Sequence, residues 1–269
     1  MKRWIFRIII LVLTAVFLVS GGLVVKYFIE SAKQKTQNEE LVALVRKEKE
    51  LLQENVAEEI PHIPQLVEVE GKEGETAQIL DIYKPVYERN QDLVGWIQIE
   101  GTSVNYPVMQ TPDNTDYYLY TDFYHKYSAH GSIYVQEKGN VERPSDNLIL
   151  YGHNMRDGSM FAPLLGYREK SFWQAHPTVR FDTLTEQGIY EIIAVCITTA
   201  TVGEGFPFYE FSDASTQKEF DEYVSQAKEI ALYDTGVTAQ YGDKLITLCT
   251  CEYSKTDGRL LVIAKKAEK

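Results

Sequence analysis

An uninterrupted apolar run near the N-terminus constrains this chain more than any other sequence feature. Residues 8–25 (IIILVLTAVFLVSGGLVV) contain no charged side chain, and roughly 20 apolar residues in a helix span the hydrocarbon core of a bilayer. Lys2, Arg3 and Arg7 precede the run, as expected when the N-terminus stays in the cytoplasm. The run therefore predicts a membrane-spanning helix.

A cleaved signal peptide is the alternative interpretation of the same run, with Ser20, Gly21 and Gly22 near the cut. We favour an uncleaved anchor because the apolar residues continue past these small ones. We predict a cytoplasmic tail over 1–7 and a single transmembrane anchor over 8–28. Everything after the anchor then lies outside the cytoplasm.

Residues 29–76 are predicted to form a helical stalk and a linker. The segment 31–60 lacks Gly and Pro, and its apolar residues recur at helical spacing. We interpret this helix as a solvated spacer rather than a coiled coil, whereas 61–75 contains two prolines and two glycines and is typical of a linker. The folded domain is expected over 77–269. The apolar positions of the stalk are Leu41, Leu44, Val45, Leu52 and Val56.

The domain is predicted to be mainly β. A short helical stretch at 78–90 precedes eight runs rich in Val, Ile, Tyr or Thr, and a helix at 215–230 comes before the last two runs. This number of short strands indicates a closed antiparallel barrel or a sandwich. The predicted strands are 94–99, 102–108, 132–136, 147–151, 178–182, 188–201, 243–251 and 259–265.

Charge and cysteine content narrow the function classes. The formal net charge of -12 argues against a nucleic-acid-binding protein, which would show a basic excess or patch. The three cysteines are too few for a disulfide scaffold, and their odd number leaves at least one thiol free or bridged to another molecule.

Two of the thiols lie together at the end of one predicted strand. Cys251 ends the run 243–251 and a polar segment follows it, so a rigid element would present its thiol at an open edge. Cys249 points to the same face of that strand, and the residues alone do not decide between the two. Cys196 lies in the middle of an apolar strand, which is typical of a buried structural cysteine.

A cysteine nucleophile requires a general base and a group that stabilises the oxyanion. His153 follows the apolar strand 147–151, whereas the other four histidines lie in polar loops or the linker. Arg259 opens the last strand, so a hairpin would return it beside Cys251. A rim salt bridge of Arg259 with Glu252 or Asp257 is an equally good interpretation. No CxxC or HExxH spacing supports a zinc site, and we expect no metal or cofactor.

Together these residues resemble the sortase family, class B. The matching segments are TLCTC at 247–251, YGHN at 151–154 and Arg259, and the resemblance covers roughly 78–266 together with the anchor. It implies an eight-stranded sortase-type β-barrel with an N-terminal helix and a helix inserted before the last two strands. By position Cys251 matches the nucleophile, His153 the general acid and base, and Arg259 the oxyanion-side arginine. We assign Cys249, Thr250 and Asn154 to substrate binding.

The resemblance implies a cysteine transpeptidase of a Gram-positive cell membrane. Such an enzyme cleaves a C-terminal sorting motif of secreted proteins through a thioester and transfers the acyl group to an amine of a cell-wall precursor or pilin. Two alternatives stay open. One is another cell-wall cysteine acyltransferase or peptidase, such as an L,D-transpeptidase; the other is a non-catalytic, surface-anchored binding module.

Overall fold

A computed structural model describes residues 2–57, 79–111 and 113–268. The predicted linker lies outside these residues. The chain forms two compact units, Met1–Glu40 and Leu41–Lys269. The first unit consists of helix, and the second contains the barrel.

Helix α1 runs from Lys2 to Ala57. Its N-terminal part is long and apolar enough to cross a membrane, a property that membrane spans share with signal sequences. The predicted anchor 8–28 lies wholly within this helix, and its large apolar side chains are exposed.

The later part of α1 packs within the second unit. Leu41 is only 2% exposed, and Val42, Leu44 and Val45 pack against the same apolar cluster, which includes Trp96 of the barrel. The predicted helical stripe is therefore present, but these residues are not the solvated spacer that we expected. A stripe at positions i, i+3 and i+4 forms one face, and such a face gains stability when it is buried.

Eight strands close into the predicted barrel, in the order β1-β2-β3-β4-β7-β8-β6-β5. Each of the eight predicted strand runs corresponds to one observed strand. Their bounds are Leu93–Gln98 (β1), Asn105–Met109 (β2), Ile133–Val135 (β3), Asn147–Tyr151 (β4), Thr178–Thr183 (β5), Ile189–Thr199 (β6), Leu245–Cys251 (β7) and Gly258–Lys266 (β8).

The expectation of a purely antiparallel barrel is wrong at two pairings. β2 pairs with β3 and β4 pairs with β7 in parallel. Parallel neighbours need long crossover connections rather than tight turns, and both pairs have them: 110–132 and 152–244. The second crossover places the end of β4 beside the end of β7, which matters for the site.

Helix α4 (Gln217–Glu229) is the predicted helix before the last two strands. Thr216 caps it, since its hydroxyl accepts a hydrogen bond from the Glu219 N–H. The predicted helical stretch at 78–90 corresponds, within the described residues, to a 3-10 turn at Asp81–Tyr83 and helix α2 (Lys84–Tyr87). Further short helices that no 3.6-residue stripe marks are α3 (Lys170–Ala175) and 3-10 turns at Tyr117–Leu119, Ala162–Arg168 and Phe208–Glu210.

The alternation of β7 separates two apolar clusters. Ile246 and Leu248 belong to the cluster that fills the barrel. Leu245 and Cys249 belong to a second cluster on the outer face, where α4 packs. Because side chains alternate along a strand, Cys251 continues the outer face beyond the part that α4 covers.

Candidate active site

The end of β7 lies between β4 and β8. Cys251 is the last residue of β7 and pairs directly with Arg259 of β8. Directly opposed residues of an antiparallel pair point to the same face, with Cβ atoms about 4.5–5.5 Å apart. The hairpin return expected for Arg259 is therefore confirmed.

His153 reaches the same level from the other side of β7. Tyr151 of β4 is in register with Cys249, so the residues two further along each chain are His153 and Cys251. The pairing continues past the end of β4, because the Gly152 N–H donates to the Cys249 carbonyl at 3.2 Å and the Thr250 hydroxyl donates to the Gly152 carbonyl at 2.8 Å. The parallel crossover thus brings the thiol and the imidazole to one edge.

One cavity of about 360 Å³ opens at this edge. Cys251, His153 and Arg259 all line it, and acidic side chains lie on its rim. The other lining residues are Thr115, Asp116, Leu119, Tyr134, Gln136, Glu137, Tyr151, Gly152, Cys249 and Thr250.

The imidazole of His153 has a fixed tautomer when neutral. Its Nε2 lies 2.8 Å from the carbonyl oxygen of Leu119, and a carbonyl only accepts, so Nε2 carries the proton. Nδ1 is then the nitrogen that is able to take up a proton. The ring also contacts Tyr120, with the ring centroids 5.5 Å apart.

The Leu119 carbonyl, which orients His153, lies in close contact with the backbone at Gly131. Gly131 has a φ of 58°, and a Cβ at this position would lie 2.3 Å from the Leu119 carbonyl oxygen. Glycine adopts this left-handed conformation without strain, and because it has no Cβ it leaves that space free. The 3-10 turn at Tyr117–Leu119 can therefore lie directly against the chain that enters β3.

The guanidinium of Arg259 is held by main-chain oxygens. Its Nη1 donates to the carbonyls of Asp257 and Gly258, at 3.1 and 3.0 Å. The carboxylate of Glu252 instead pairs with Arg168 and accepts from Ser254. Among the described residues the predicted rim salt bridge is absent, and N–H groups of Arg259 remain to face the cavity.

The other two cysteines are buried. Burial raises the pKa of Cys196 to about 12, and its Sγ donates to the Ala227 carbonyl of α4. Burial also raises the pKa of Cys249, which the nearby Arg259 lowers only in part. Neither thiol is poised to ionise near neutral pH, whereas Cys251 is partly exposed.

The residues predicted to bind substrate lie around Cys251 in different ways. Cys249 and Thr250 line the cavity but are only 1% and 2% exposed. The Asn154 side-chain amide donates to the Cys251 carbonyl at 3.0 Å. Asn154 thus contacts the main chain of the thiol-bearing residue.

Several residues of the site escape prediction from sequence. Tyr134 and Tyr151 form a paired wall of the cavity, with ring centroids 5.5 Å apart, and burial raises the pKa of both. The strand alternation that places Tyr151 two residues before His153 was an available signal for one of them. Nothing local in the sequence links Glu252 to Arg168. His125 and His130 lie outside the cavity and contact Tyr117 and Asp157, respectively.

The chain is similar to known sortases. Residues 97–267 match the Sortase domain. The chain is 34% identical over 194 residues to sortase B of Listeria monocytogenes, covering 71% of this chain and 76% of that protein. It is 33% identical over 178 residues to sortase B of Staphylococcus aureus, covering 65% and 70%.

Solved structures agree with the sequence matches. A crystal structure of sortase B from B. anthracis has a TM-score of 0.71 at 28% identity, covering 90% of this chain and all (100%) of that one. A Staphylococcus aureus sortase B–substrate complex has a TM-score of 0.71 at 26% identity, covering 89% and 99%.

The barrel and its matches define a cysteine transpeptidase. The chain belongs to the sortase family, and its relatives are class B sortases.

Proposed function

We propose that Cys251 is the nucleophile, His153 the general acid and base, and Arg259 the donor to the oxyanion. The observation that supports these roles is that all three side chains line one cavity at the common edge of β4, β7 and β8. The Cys251 thiolate attacks the carbonyl carbon of the threonine in a C-terminal sorting motif. Arg259 and nearby main-chain N–H groups stabilise the oxyanion that forms.

The tetrahedral intermediate then collapses to a thioester. Protonated His153 donates its proton to the leaving amine, and the segment after the threonine departs. An acceptor amine attacks the thioester carbon, the C–S bond breaks, and His153 takes the proton that the nitrogen loses. The product is a new amide bond, and Cys251 is restored.

The substrates follow from this reaction and from the relatives. The solved substrate complex of Staphylococcus aureus sortase B supports a peptide donor. The donors are secreted proteins with a sorting motif, and the acceptor is an amine of a peptidoglycan precursor or a pilin subunit. Thr250 and Cys249 form the floor of the donor groove, and Asn154 positions Cys251 through its carbonyl.

The chain is a single-pass membrane protein with an extracytoplasmic catalytic domain. The exposed apolar run of α1 and the basic residues Lys2, Arg3 and Arg7 that precede this run support this topology. The cytoplasmic tail covers 1–7, the anchor 8–28, the stalk and linker 29–76 and the catalytic domain 77–269. Protease added to intact cells should remove the catalytic domain; protection until lysis would contradict the topology.

The roles are tested with the full chain in detergent micelles. Quenched peptides that vary a five-residue motif are supplied without acceptor, and the protein is analysed by mass spectrometry. We expect an acyl adduct on Cys251 with one family of motifs. The Cys196→Ala variant serves as the matched control, because its thiol is buried against α4 and does not line the cavity, and it should still form the adduct. Cleavage by a Cys251→Ala variant would refute the assignment, and a folded, inert wild-type chain would favour a binding module.

A further inference from the structure

Two exposed tyrosines, Tyr120 and Tyr127, stack on each other close to His153. Tyr120 is 50% exposed and Tyr127 is 76% exposed. Their rings are nearly parallel, with 19° between the planes and centroids 6.4 Å apart. An exposed aromatic pair is informative, because large apolar side chains left in water often mark a contact surface.

The pair continues a row of rings that ends at His153. The Tyr120 ring centroid lies 5.5 Å from that of His153, and the planes are tilted by 38°. The row therefore leads from solvent, over Tyr127 and Tyr120, to the imidazole. Neither tyrosine lines the cavity that holds Cys251, so the row reaches His153 from outside it.

A tightly bonded loop holds both rings. Thr121 and Tyr127 form an antiparallel bridge, and the Ser128 N–H donates to the Tyr120 carbonyl at 2.9 Å. The buried carboxylate of Asp122 accepts from the N–H groups of Tyr124 and Lys126. The rings are thus presented by a backbone that needs no rearrangement to bind.

We propose that Tyr120 and Tyr127 form an aromatic platform that receives the ammonium group of the acceptor and guides it to His153. The inference rests on the proposed function, which requires an acceptor amine. In water a primary amine is mostly protonated, and an ammonium ion is attracted to the face of an aromatic ring.

Aromatic faces suit a cation that must then lose its charge. A carboxylate partner would favour the protonated amine and oppose its conversion to a nucleophile. A ring attracts the ammonium more weakly and accepts no proton. The ammonium first releases one proton to solvent. The neutral nitrogen then bonds to the thioester carbon, the Cys251 sulfur leaves as thiolate, and the second proton passes to His153.

The test separates acylation from transfer in the full chain. Acylation is the release of the leaving segment without acceptor, and transfer is measured against the concentration of triglycine amide or Nα-acetyl-lysine amide. We expect Tyr127→Leu to raise the acceptor concentration for half-maximal transfer by about two- to fivefold. Acylation should not change. Tyr127→Phe, which keeps the ring, should behave as the wild type.

Two controls accompany this test: one uses an uncharged acceptor, and the other changes an exposed tyrosine that is not part of the platform. Hydroxylamine is uncharged at neutral pH, so Tyr127→Leu should leave its half-saturating concentration unchanged. Tyr241 is 47% exposed and packs on Phe220 of α4, so Tyr241→Leu should have no effect. An unchanged acceptor dependence, or a shift in the donor KM instead, would overturn the platform while acylation persists. Failure of acylation in the wild type would overturn the proposed function itself.

Discussion

On the outer face of β6, β7 and β8, cysteine thiols lie in two different surroundings. Cys249 and Cys196 lie on either side of Leu261 in the apolar cluster that includes α4, and both thiols are buried, although Cys249 also borders the cavity. Nearer the strand ends, Cys251 and Arg259 pair on the same face and are partly exposed to that cavity. We infer that burial beneath α4, rather than residue type, distinguishes the structural thiols from the proposed nucleophile.

The two cysteines of β7 provide the sharpest test of this contrast. Cys251→Ala should abolish transfer, since no other described thiol borders the cavity with its side chain exposed; we expect a loss of at least about 10⁴-fold. Cys249→Ala should keep activity within about tenfold and lower stability by ~1–2 kcal/mol, because it removes a buried sulfur. Peptide cleavage and urea unfolding measure the two effects. Equal losses of activity would break the comparison.

Arg259, which pairs with Cys251 from β8, provides a second test of the part of this face that borders the cavity. Arg259→Gln removes charge and donors, so kcat should fall by about 10²–10³-fold with little change in the donor KM. Arg259→Lys keeps the charge but loses the planar guanidinium, whose Nη1 donates to the Asp257 and Gly258 carbonyls and whose other N–H groups can face the oxyanion, so its loss should be intermediate.

Lys265→Gln is the matched control for Arg259, because Lys265 lies on the same strand but pairs with Asp243. Its kinetics should resemble those of the wild type. A loss confined to KM in Arg259→Gln would assign Arg259 to donor binding rather than to the oxyanion.

The features of this site that depend on residues close together in the sequence could be predicted. The apolar alternation of β7 ends at Cys251, and the turn after β4 begins with Gly152 and His153, so both side chains could be placed at strand ends. The eight strands and α4 followed from the same periodicities. These signals depend on neighbours along the chain, which a sequence displays directly.

What sequence reasoning missed depends on contacts between distant segments. The parallel pairing of β4 with β7 is decided by barrel closure, not by either strand's own pattern. The packing of Leu41 required knowledge of the surface that receives it. The short 3-10 helix at Ala162–Arg168 has no stripe, so neither the helix nor the ion pair of its last residue was visible.

The ion pair between Glu252 and Arg168 provides a test, with a smaller expected effect, of what aligns Cys251 with His153. Glu252 follows Cys251 and is 3% exposed, and it pairs with Arg168 at the end of the segment that begins with His153. Glu252→Gln keeps the shape but loses the ion pair, so Cys251 and His153 should be less well aligned. We expect kcat to fall by about tenfold while the donor KM stays the same.

A second variant separates positioning from folding at this pair. Arg168→Lys alone should lose less kcat than Glu252→Gln, because its ammonium still neutralises the intact Glu252 carboxylate. If Glu252→Gln lowers the unfolding midpoint without changing kcat, the pair stabilises the fold and does not align the site.

The smallest predicted effect is the alkaline sensitivity of the covered thiols. Because the pKa of folded Cys249 is raised above its unfolded value, the unfolded chain releases a proton first as pH rises through about 9. The stabilising contribution is complete below that pH and decreases above it, by up to about 1.4 kcal/mol per pH unit. Urea unfolding at pH 8, 9 and 10 should therefore show a shallower decline for Cys249→Val than for the wild type.

Buried tyrosines whose raised pKa does not depend on Cys249, such as Tyr167 and Tyr190, lower the stability of both chains equally at alkaline pH, so the difference between the two slopes reports on Cys249. Over the same range iodoacetamide should label Cys251 in the folded chain and leave Cys249 and Cys196 unmodified until urea is added. Identical slopes together with rapid labelling of Cys249 would mean that α4 opens readily. In that case coverage would not account for the difference between the two thiols.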